Sequence, residues 1–397
     1  NDKKNKLQTE IKKLPEELNK LENKQKCYQE DINFLNKMNQ YIEAKTENEK
    51  VNIIIKQLEE EKNKVQNEKD NIYEKEKEKY LDIQNCIQIK TYIKEISLKG
   101  QEISKIYNEF VLLQQQVDKN EIIEEEICNF TGSNFAVAVT NGTVGLRLAL
   151  HCVGVEFNSE VIMPPFTFVA TANAISHLGA IPHFVDIENS TFGISAIKLQ
   201  NYLDKICIRK NNKTYNKFTG RKIAAILPVH IFGNPADILL INSVAKRWNL
   251  PIVEDAAEAL GSWRKKEKKF IHCGLFGEMG AISFNGNKLI TTGGGGAIIT
   301  NNLEYAKLAK HLSTTAKLQH AWEYDHDQIG WNDRMPNINA ALGLAQLEKI
   351  NEILKLKKLI FHKYQRLFSD IREIDIINEP KNCISNFWLI TIRFNNK

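Results

Sequence analysis

One lysine and one aspartate carry most of the chemical promise of this chain. Lys288 lies in "AISFNGNKLITTGGGGAIIT", between a short apolar run and four consecutive glycines, with a second apolar run beyond them. An amine in that position is a turn charge, a phosphate binder or a nucleophile. Asp255 closes the apolar run of "LPIVEDAAEALG". A carboxylate there either caps a following helix or needs a cationic partner, because a lone buried charge is costly. "TNGTVGL", Thr140 to Leu146, follows one apolar run and opens a helical one. Its small residues let backbone N–H groups approach an anion at the positive end of a helix, although a plain tight turn accounts for them equally well. "PPFTF" sets Phe168 at a further strand end, as a face for a flat ring or as a core aromatic, and Ser283 ends the run before Lys288.

Each of these signals alone has an ordinary structural explanation. Together they are the parts that pyridoxal phosphate requires: an amine for its aldehyde, an anion for the pyridine nitrogen, N–H and hydroxyl donors for the phosphate, and a stacking face for the ring. Competing motifs fail on order. Lys288 precedes its glycines, whereas a P-loop lysine follows them, and "GGGG" does not link a strand to a helix as a dinucleotide fingerprint must. His272 with Cys273, and His320 with His326, lack the spacing of a zinc site. No metal is expected.

The elements that must hold these residues follow from the pattern of the second half. "FAVAVT", "EVIMPPF", "IPHFVDI", "KIAAILPVHIFG", "LPIVEDAA" and "GAISFNG" are short apolar runs, and helical stretches such as "TVGLRLALHCVGV", "TFVATANAISHLG" and "ADILLINSVAKRWN" lie between them. Alternation of this kind predicts an α/β domain with a mostly parallel sheet and ligands at the carboxyl ends of its strands. "GWNDRMPNINAALGLAQLEKI" predicts a long amphipathic helix, with Asn332 and Arg334 just before it.

The first part of the chain is different. Up to Thr131 it has one glycine and one proline, and residues 1–100 hold 21 lysines, no arginine and 20 acidic residues. So even a balance, within a net charge of +5, argues against a one-signed nucleic-acid arm. Leu7, Ile11, Leu14, Leu18, Leu21, Gln25, Tyr28, Ile32, Leu35, Asn39 and Ile42 alternate in steps of four and three, and Val51, Ile55, Leu58, Lys62, Val65, Lys69 and Ile72 form a second seam. These predict a helical or coiled-coil region over 1–120, with a solvated Lys/Glu face and room for a coiled-coil partner. The domains expected are this region, a cofactor-binding large domain over 121–345, and the start of a small C-terminal domain over 346–397. Seven scattered cysteines without a CxxC pair predict reduced thiols and a cytoplasmic location. No apolar run is long enough to span a membrane.

From about Ile123 onward the chain resembles the DegT/DnrJ/StrS family of sugar aminotransferases. The residues that carry the resemblance are "NFTGSNFAVAVTNGTVGLRLAL", "VIMPPFTFVATANAISHLGAIPHFVDI", "LPVHIFGNPADI", "LPIVEDAAEALGS", the Lys288 stretch and "IGWNDRMPNINAALGLAQLE". It implies the fold of pyridoxal-phosphate transferases of type I, with an aspartate-aminotransferase-like large domain. It also implies Lys288 as the Schiff-base lysine and Asp255 as partner of the pyridine nitrogen. Phe168 is then the stacking aromatic, Gly142, Thr143 and Ser283 form the phosphate cradle, and Glu258 lies near the ring where many members carry Gln. Asn332 reaches the phosphate of a second subunit, so a homodimer with shared active sites is implied. The wording of "LSTTAKLQHAWEYDHDQIGWNDRMPN" is similar to the branch that aminates position 4 of nucleotide-linked deoxysugars on routes to legionaminic-type acids. Transamination of such a keto-sugar, with glutamate as donor, is the expected reaction.

Two departures accompany the resemblance. The short segment with which the family begins is not found upstream of Ile123, and "SNFWLITIRFNNK" stops at an early strand of the small domain. Alternatives are therefore a non-catalytic coiled-coil assembly protein with a decayed domain, or an aminotransferase for a non-nucleotide cyclic ketone.

Overall fold

The structure, a computed structural model, describes residues 56, 57, 59–64, 66, 67, 118–318 and 324–394. The described positions between 56 and 67 are helical; the rest of the expected coiled-coil seams lies outside the described residues. Contacts divide the chain into Asn1–Asp118 and Lys119–Lys397, and the second unit holds every residue singled out for chemistry.

That unit opens with helix α1 (Lys119–Thr131), strand β1 (Phe135–Val139) and helix α2 (Gly142–Cys152). Next come β2 (Glu160–Met163), α3 (Ala170–Ser176), β3 (Ile181–Phe184) and α4 (Ala196–Ile206). The β4 (Cys207–Lys210) and β5 (Lys213–Asn216) hairpin precedes β6 (Lys222–Ile226), α5 (Ile238–Trp248) and β7 (Val253–Asp255). A second hairpin, β8 (Trp263–Lys266) and β9 (Lys269–His272), leads to β10 (Met279–Ser283), β11 (Gly296–Thr300) and α6 (Leu303–Ser313). Helices α7 (Asn337–Glu348) and α8 (Ile350–Leu367) and short strands β12 (Ile374–Ile376), β13 (Cys383–Ile384) and β14 (Ile392–Phe394) follow.

Strands β1, β11, β10 and β7 are hydrogen-bonded in that order, and β3, β2, β6, β5 and β4 in another. Parallel bridges from Ile226 to Ile252 and from Val229 to Asp255 join β6 to β7, so a central sheet runs through both sets. β7 and β10 pair in parallel, as do β6 with β2 and β2 with β3. β1 and β10 are each antiparallel to β11 and therefore point the same way. Strands β1, β10, β7, β6, β2 and β3 thus share one direction, and β11 and β5 run against them.

The strands read as apolar runs because both faces of the sheet are covered; all five residues of β10 and of β11 are buried. On one face Leu146, Leu150, Ile175 and Leu312 pack with Met163, Ala281 and Ile298. On the other, Leu199, Leu203, Ile241 and Val244 pack with Ile162 and Ile226. Local chemistry sets the helix starts. Asn141 accepts from the Val144 N–H at the head of α2, Ser195 from Lys198 at α4, and Asn302 from Glu304 and Tyr305 at α6, each satisfying an otherwise orphaned donor. α5 stops at Asn249, whose φ of 51° is left-handed, a conformation asparagine tolerates.

Three local expectations change. "TFVATANAISHLG" is helical only over Ala170–Ser176. The long amphipathic helix breaks at Lys349 into α7 and α8. Of the four glycines after Lys288, only Gly293 takes a left-handed φ, +77°. Gly296 is needed instead for close approach: a Cβ there would lie 2.8 Å from the Asn141 carbonyl carbon and the Gly142 nitrogen. Gly280 is another such position, where a Cβ would come 2.5 Å from the Gly274 Cα. Gly280→Ala is expected to destabilise the fold by about 2 kcal/mol through overpacking. A lower urea midpoint at unchanged slope is the measurement that checks it.

Candidate active site

Because six strands share a direction, the turns after them collect at one edge of the sheet, the usual place for a ligand in such folds. Asp255 ends β7 there, Ser283 ends β10, Asn141 and Gly142 follow β1, and Phe168 follows β2.

Gly142 begins α2 directly against Ser283. A Cβ on Gly142 would lie 2.8 Å from the Ser283 Cβ and 3.2 Å from its Oγ. The missing side chain therefore leaves the Ser283 hydroxyl close against the start of α2, where the helix dipole favours an anion.

Asp255 is buried, and each carboxylate oxygen has one donor. Thr171 Oγ1 donates to Oδ2 at 2.7 Å, and the Ala257 N–H donates to Oδ1 at 3.1 Å. The second contact is the capping role considered from sequence, made here in a turn rather than at a helix. Among the described residues no salt bridge reaches Asp255. Burial pushes its carboxyl above the usual range, against the opposing pull of Thr171, Ala257, Lys288 and His230. The site therefore holds a carboxyl whose charged form burial disfavours and which has no cation in contact, the environment that a protonated ring nitrogen would relieve.

Beneath Asp255 lies a fixed polar support. His230 donates from Nε2 to Glu254 at 2.8 Å, a tautomer set by the Ala236 N–H, which donates to Nδ1 at 3.1 Å. Glu254 also accepts from the N–H groups of Gly274, Phe276 and Gly277. The backbone N–H of His230 donates to the Asp255 carbonyl at 3.1 Å. The pair is saturated, so it holds β7 in place and offers nothing to a ligand.

Lys288 lies in the connection between β10 and β11. Its Nζ is 3.3 Å from Glu258 Oε1 and 4.1 Å from the centre of the Trp388 ring. The other oxygen of Glu258 accepts the Phe232 N–H at 2.7 Å. Burial raises the Glu258 carboxyl above its ordinary range, with Lys288 opposing the shift. Phe168 is 68% exposed, open to a stacking partner, and heads the turn whose Thr167 and Thr171 hydroxyls lie 2.7 Å apart. Asn332 is exposed, on a segment bound to β1: Arg334 bridges Val139, and the Asp333 carbonyl accepts the Thr140 N–H at 2.9 Å.

The structure thus gathers Lys288 with Glu258, Gly142 with Ser283, and Asp255 with the turn that carries Phe168. Thr171 and Trp388 were missed from sequence. The threonine four positions after Thr167 was a usable signal for the first, since that spacing puts both hydroxyls on one helical face. Nothing local marks the second. Among the described residues no group of His, Cys, Asp and Glu is arranged to hold a metal, and no helix is long and apolar enough to cross a membrane.

The DegT/DnrJ/EryC1/StrS aminotransferase family model matches residues 99–397, beginning ahead of Ile123. A GDP-perosamine synthase of Escherichia coli O157:H7 is 35% identical over 297 residues, 75% of this chain and 71% of that protein. EpsN of Bacillus subtilis (strain 168), described by name as a pyridoxal phosphate-dependent aminotransferase, is 35% identical over 69% of this chain and 66% of its own length. Among solved structures, a DegT DnrJ EryC1 StrS aminotransferase from Brucella abortus covers 75% of this chain and 78% of its own, with a TM-score of 0.62 and 26% identity. The chain belongs to the DegT/DnrJ/EryC1/StrS aminotransferase family: it has the type I aminotransferase fold, and its cofactor is pyridoxal phosphate.

Proposed function

We propose that this family member transfers an amino group from glutamate to a nucleotide-linked keto-deoxysugar, with Lys288 as the group that holds the cofactor and moves the proton. The observation that carries the reading is the Lys288 amine, largely buried and 3.3 Å from Glu258, on the connection that follows β10, with Gly142 packed against Ser283 at the end of that same strand. The GDP-perosamine synthase name of one relative supports a nucleotide sugar as acceptor. Position 4 of the sugar, as on legionaminic-type routes, is the amination site expected from the resemblance.

When bound, pyridoxal phosphate supplies an electron sink through which an amino group passes between carbon skeletons. The remaining work belongs to the chain. The α2 N–H groups, Thr143 and Ser283 hold the phosphate. Asp255, fixed by Thr171, keeps a proton on the ring nitrogen. Phe168 would offer its exposed face to the ring, Glu258 would stand near it, and Asn332 would reach the phosphate held by a second copy of the chain in a homodimer. Lys288 Nζ takes and returns the proton that must move as the amino group changes carriers. The five described cysteines are free thiols, which supports action in the cytoplasm.

The test is a panel of nucleotide-linked 4-keto-6-deoxysugars and cyclic ketones without a nucleotide, each incubated with enzyme, pyridoxal phosphate and glutamate. An amino sugar nucleotide, released with an equal amount of 2-oxoglutarate, is the expected product. Amination of the free ketones alone would sink the nucleotide-sugar reading, and no 2-oxoglutarate in any mixture would sink the glutamate donor.

The cradle gives a separate prediction. Gly142→Ala places a methyl group against Ser283 and should weaken cofactor affinity roughly 10- to 10²-fold, the loss of about one hydrogen bond to a charged group. Titration of the visible absorbance with pyridoxal phosphate checks it, with circular dichroism expected to stay unchanged.

A further inference from the structure

Trp388 reaches Lys288 from far along the chain and is held there with unusual care. Its indole N–H donates to the Asn287 carbonyl at 2.8 Å, and its backbone N–H donates to Asn386 Oδ1 at 2.8 Å. Asn386 is itself buried and spends both amide hydrogens on the carbonyls of Glu258 and Leu260, each at 2.8 Å. Gly233, with φ of +88°, leaves room for that amide: a Cβ there would run into Asn386 Oδ1. One side chain thus ties the loop that carries Glu258 to the residue that carries the indole. The lysine amine has a carboxylate on one side and an aromatic face on the other, and its side chain is only 11% exposed.

An aromatic face attracts a cation through its quadrupole, and more strongly where water is excluded. Packing alone would need neither the ring face toward Nζ nor the indole N–H on the residue next to Lys288. We infer that Trp388 is a positioning residue: with Glu258 it forms a seat that keeps the free Lys288 amine aimed at the cofactor position and shielded from water. The inference rests on the proposed role of Lys288. In each catalytic cycle the amine leaves and regains the cofactor, and the seat fixes where it waits.

The test separates ring electronics from ring shape. Tryptophan at position 388 is replaced by its 5-fluoro, 5,7-difluoro and tetrafluoro analogues, which keep the volume but weaken the quadrupole stepwise; Trp388→Leu is made alongside. The cofactor-free full chain is treated briefly with trinitrobenzenesulfonate, and peptide mass spectrometry compares modification of Lys288 with that of the exposed Lys265. Lys288 labelling should rise in step with fluorination, about five-fold for the tetrafluoro protein, and at least as much for Trp388→Leu. Lys265 labelling should not move. In parallel, borohydride reduction with pyridoxal phosphate should mark Lys288 in every protein.

Equal Lys288 labelling across the fluorinated series, with the cofactor still trapped on Lys288, overturns the seat and leaves the proposed function standing. Cofactor trapped on a different lysine overturns both. Because the fluorinated proteins keep the size of the ring, failure of Trp388→Leu to fold does not blunt the result.

Discussion

Lys288→Ala is expected to abolish amino transfer while leaving the fold intact. The side chain adds little to the core: among the described residues its charged end contacts Glu258 and Trp388. Its loss removes the amine that holds the cofactor and the group that moves the proton. Loss of a positioned proton carrier alone costs on the order of 10²–10⁴-fold, and loss of the nucleophile adds to that. No added pyridoxal phosphate should produce the visible band of a lysine-bound cofactor, and 2-oxoglutarate release should fall below detection. Wild-type turnover in the variant would reduce Lys288 to the ion-pair partner of Glu258.

Asp255→Asn is expected to have the second largest effect, with opposite signs for catalysis and for stability of the cofactor-free protein. Asparagine fits the same space and keeps an oxygen for Thr171 or Ala257, but it cannot hold a positive charge on the ring nitrogen. The turnover rate should fall on the order of 10²–10³-fold, the scale for removing one preorganised electrostatic contact. Without cofactor the variant should match or exceed wild type in stability at neutral pH, because a costly buried charge has gone.

The pH dependence follows in sign. Burial raises the carboxyls of both Asp255 and Glu258 in the folded protein, so between the unfolded and folded values the native state binds more protons. The contribution of these two carboxyls to the stability of the cofactor-free protein is then fully present below the unfolded values, about 4, and is lost as the pH rises through the folded ones. Asp255→Asn should flatten that decline in part. Thermal unfolding from pH 4 to 8, with and without pyridoxal phosphate, reads both effects. A variant as steep as wild type would show that Asp255 is not the group titrating.

Much of the site was legible in the sequence, for a reason that lies in the sheet. Asp255, Ser283, Gly142 and Phe168 each follow a short apolar run, and parallel strands deliver the residues after such runs to one edge. Strand identity and edge position therefore followed from the same pattern. The reversal of β11 was less visible, because "GAIIT" is apolar throughout in either direction. The glycines after Lys288 read as turn residues, whereas Gly296 is small to let two backbones meet, a requirement set by Asn141 and Gly142 far earlier in the chain. Trp388 was missed because its partner Asn287 is 101 residues distant, and the pairing of Thr171 with Asp255, 84 residues apart, shows in no local pattern even where the Thr167–Thr171 spacing hinted at the turn. The seams of the first 120 residues lie almost wholly outside the described residues.

The reach of Asn386 also sets an order of events during synthesis. Its amide spans 128 residues to Glu258, and the neighbouring Ser385 hydroxyl spans 152 to the Gly233 carbonyl. Contacts that close such long loops form late, after local elements have collapsed. On the ribosome the strands, the anion cradle and Asp255 all emerge well before the segment that seats the lysine. A nascent chain thus acquires the means to attract the cofactor before it can hold its own amine in place, and competence waits for the Asn386 segment to dock.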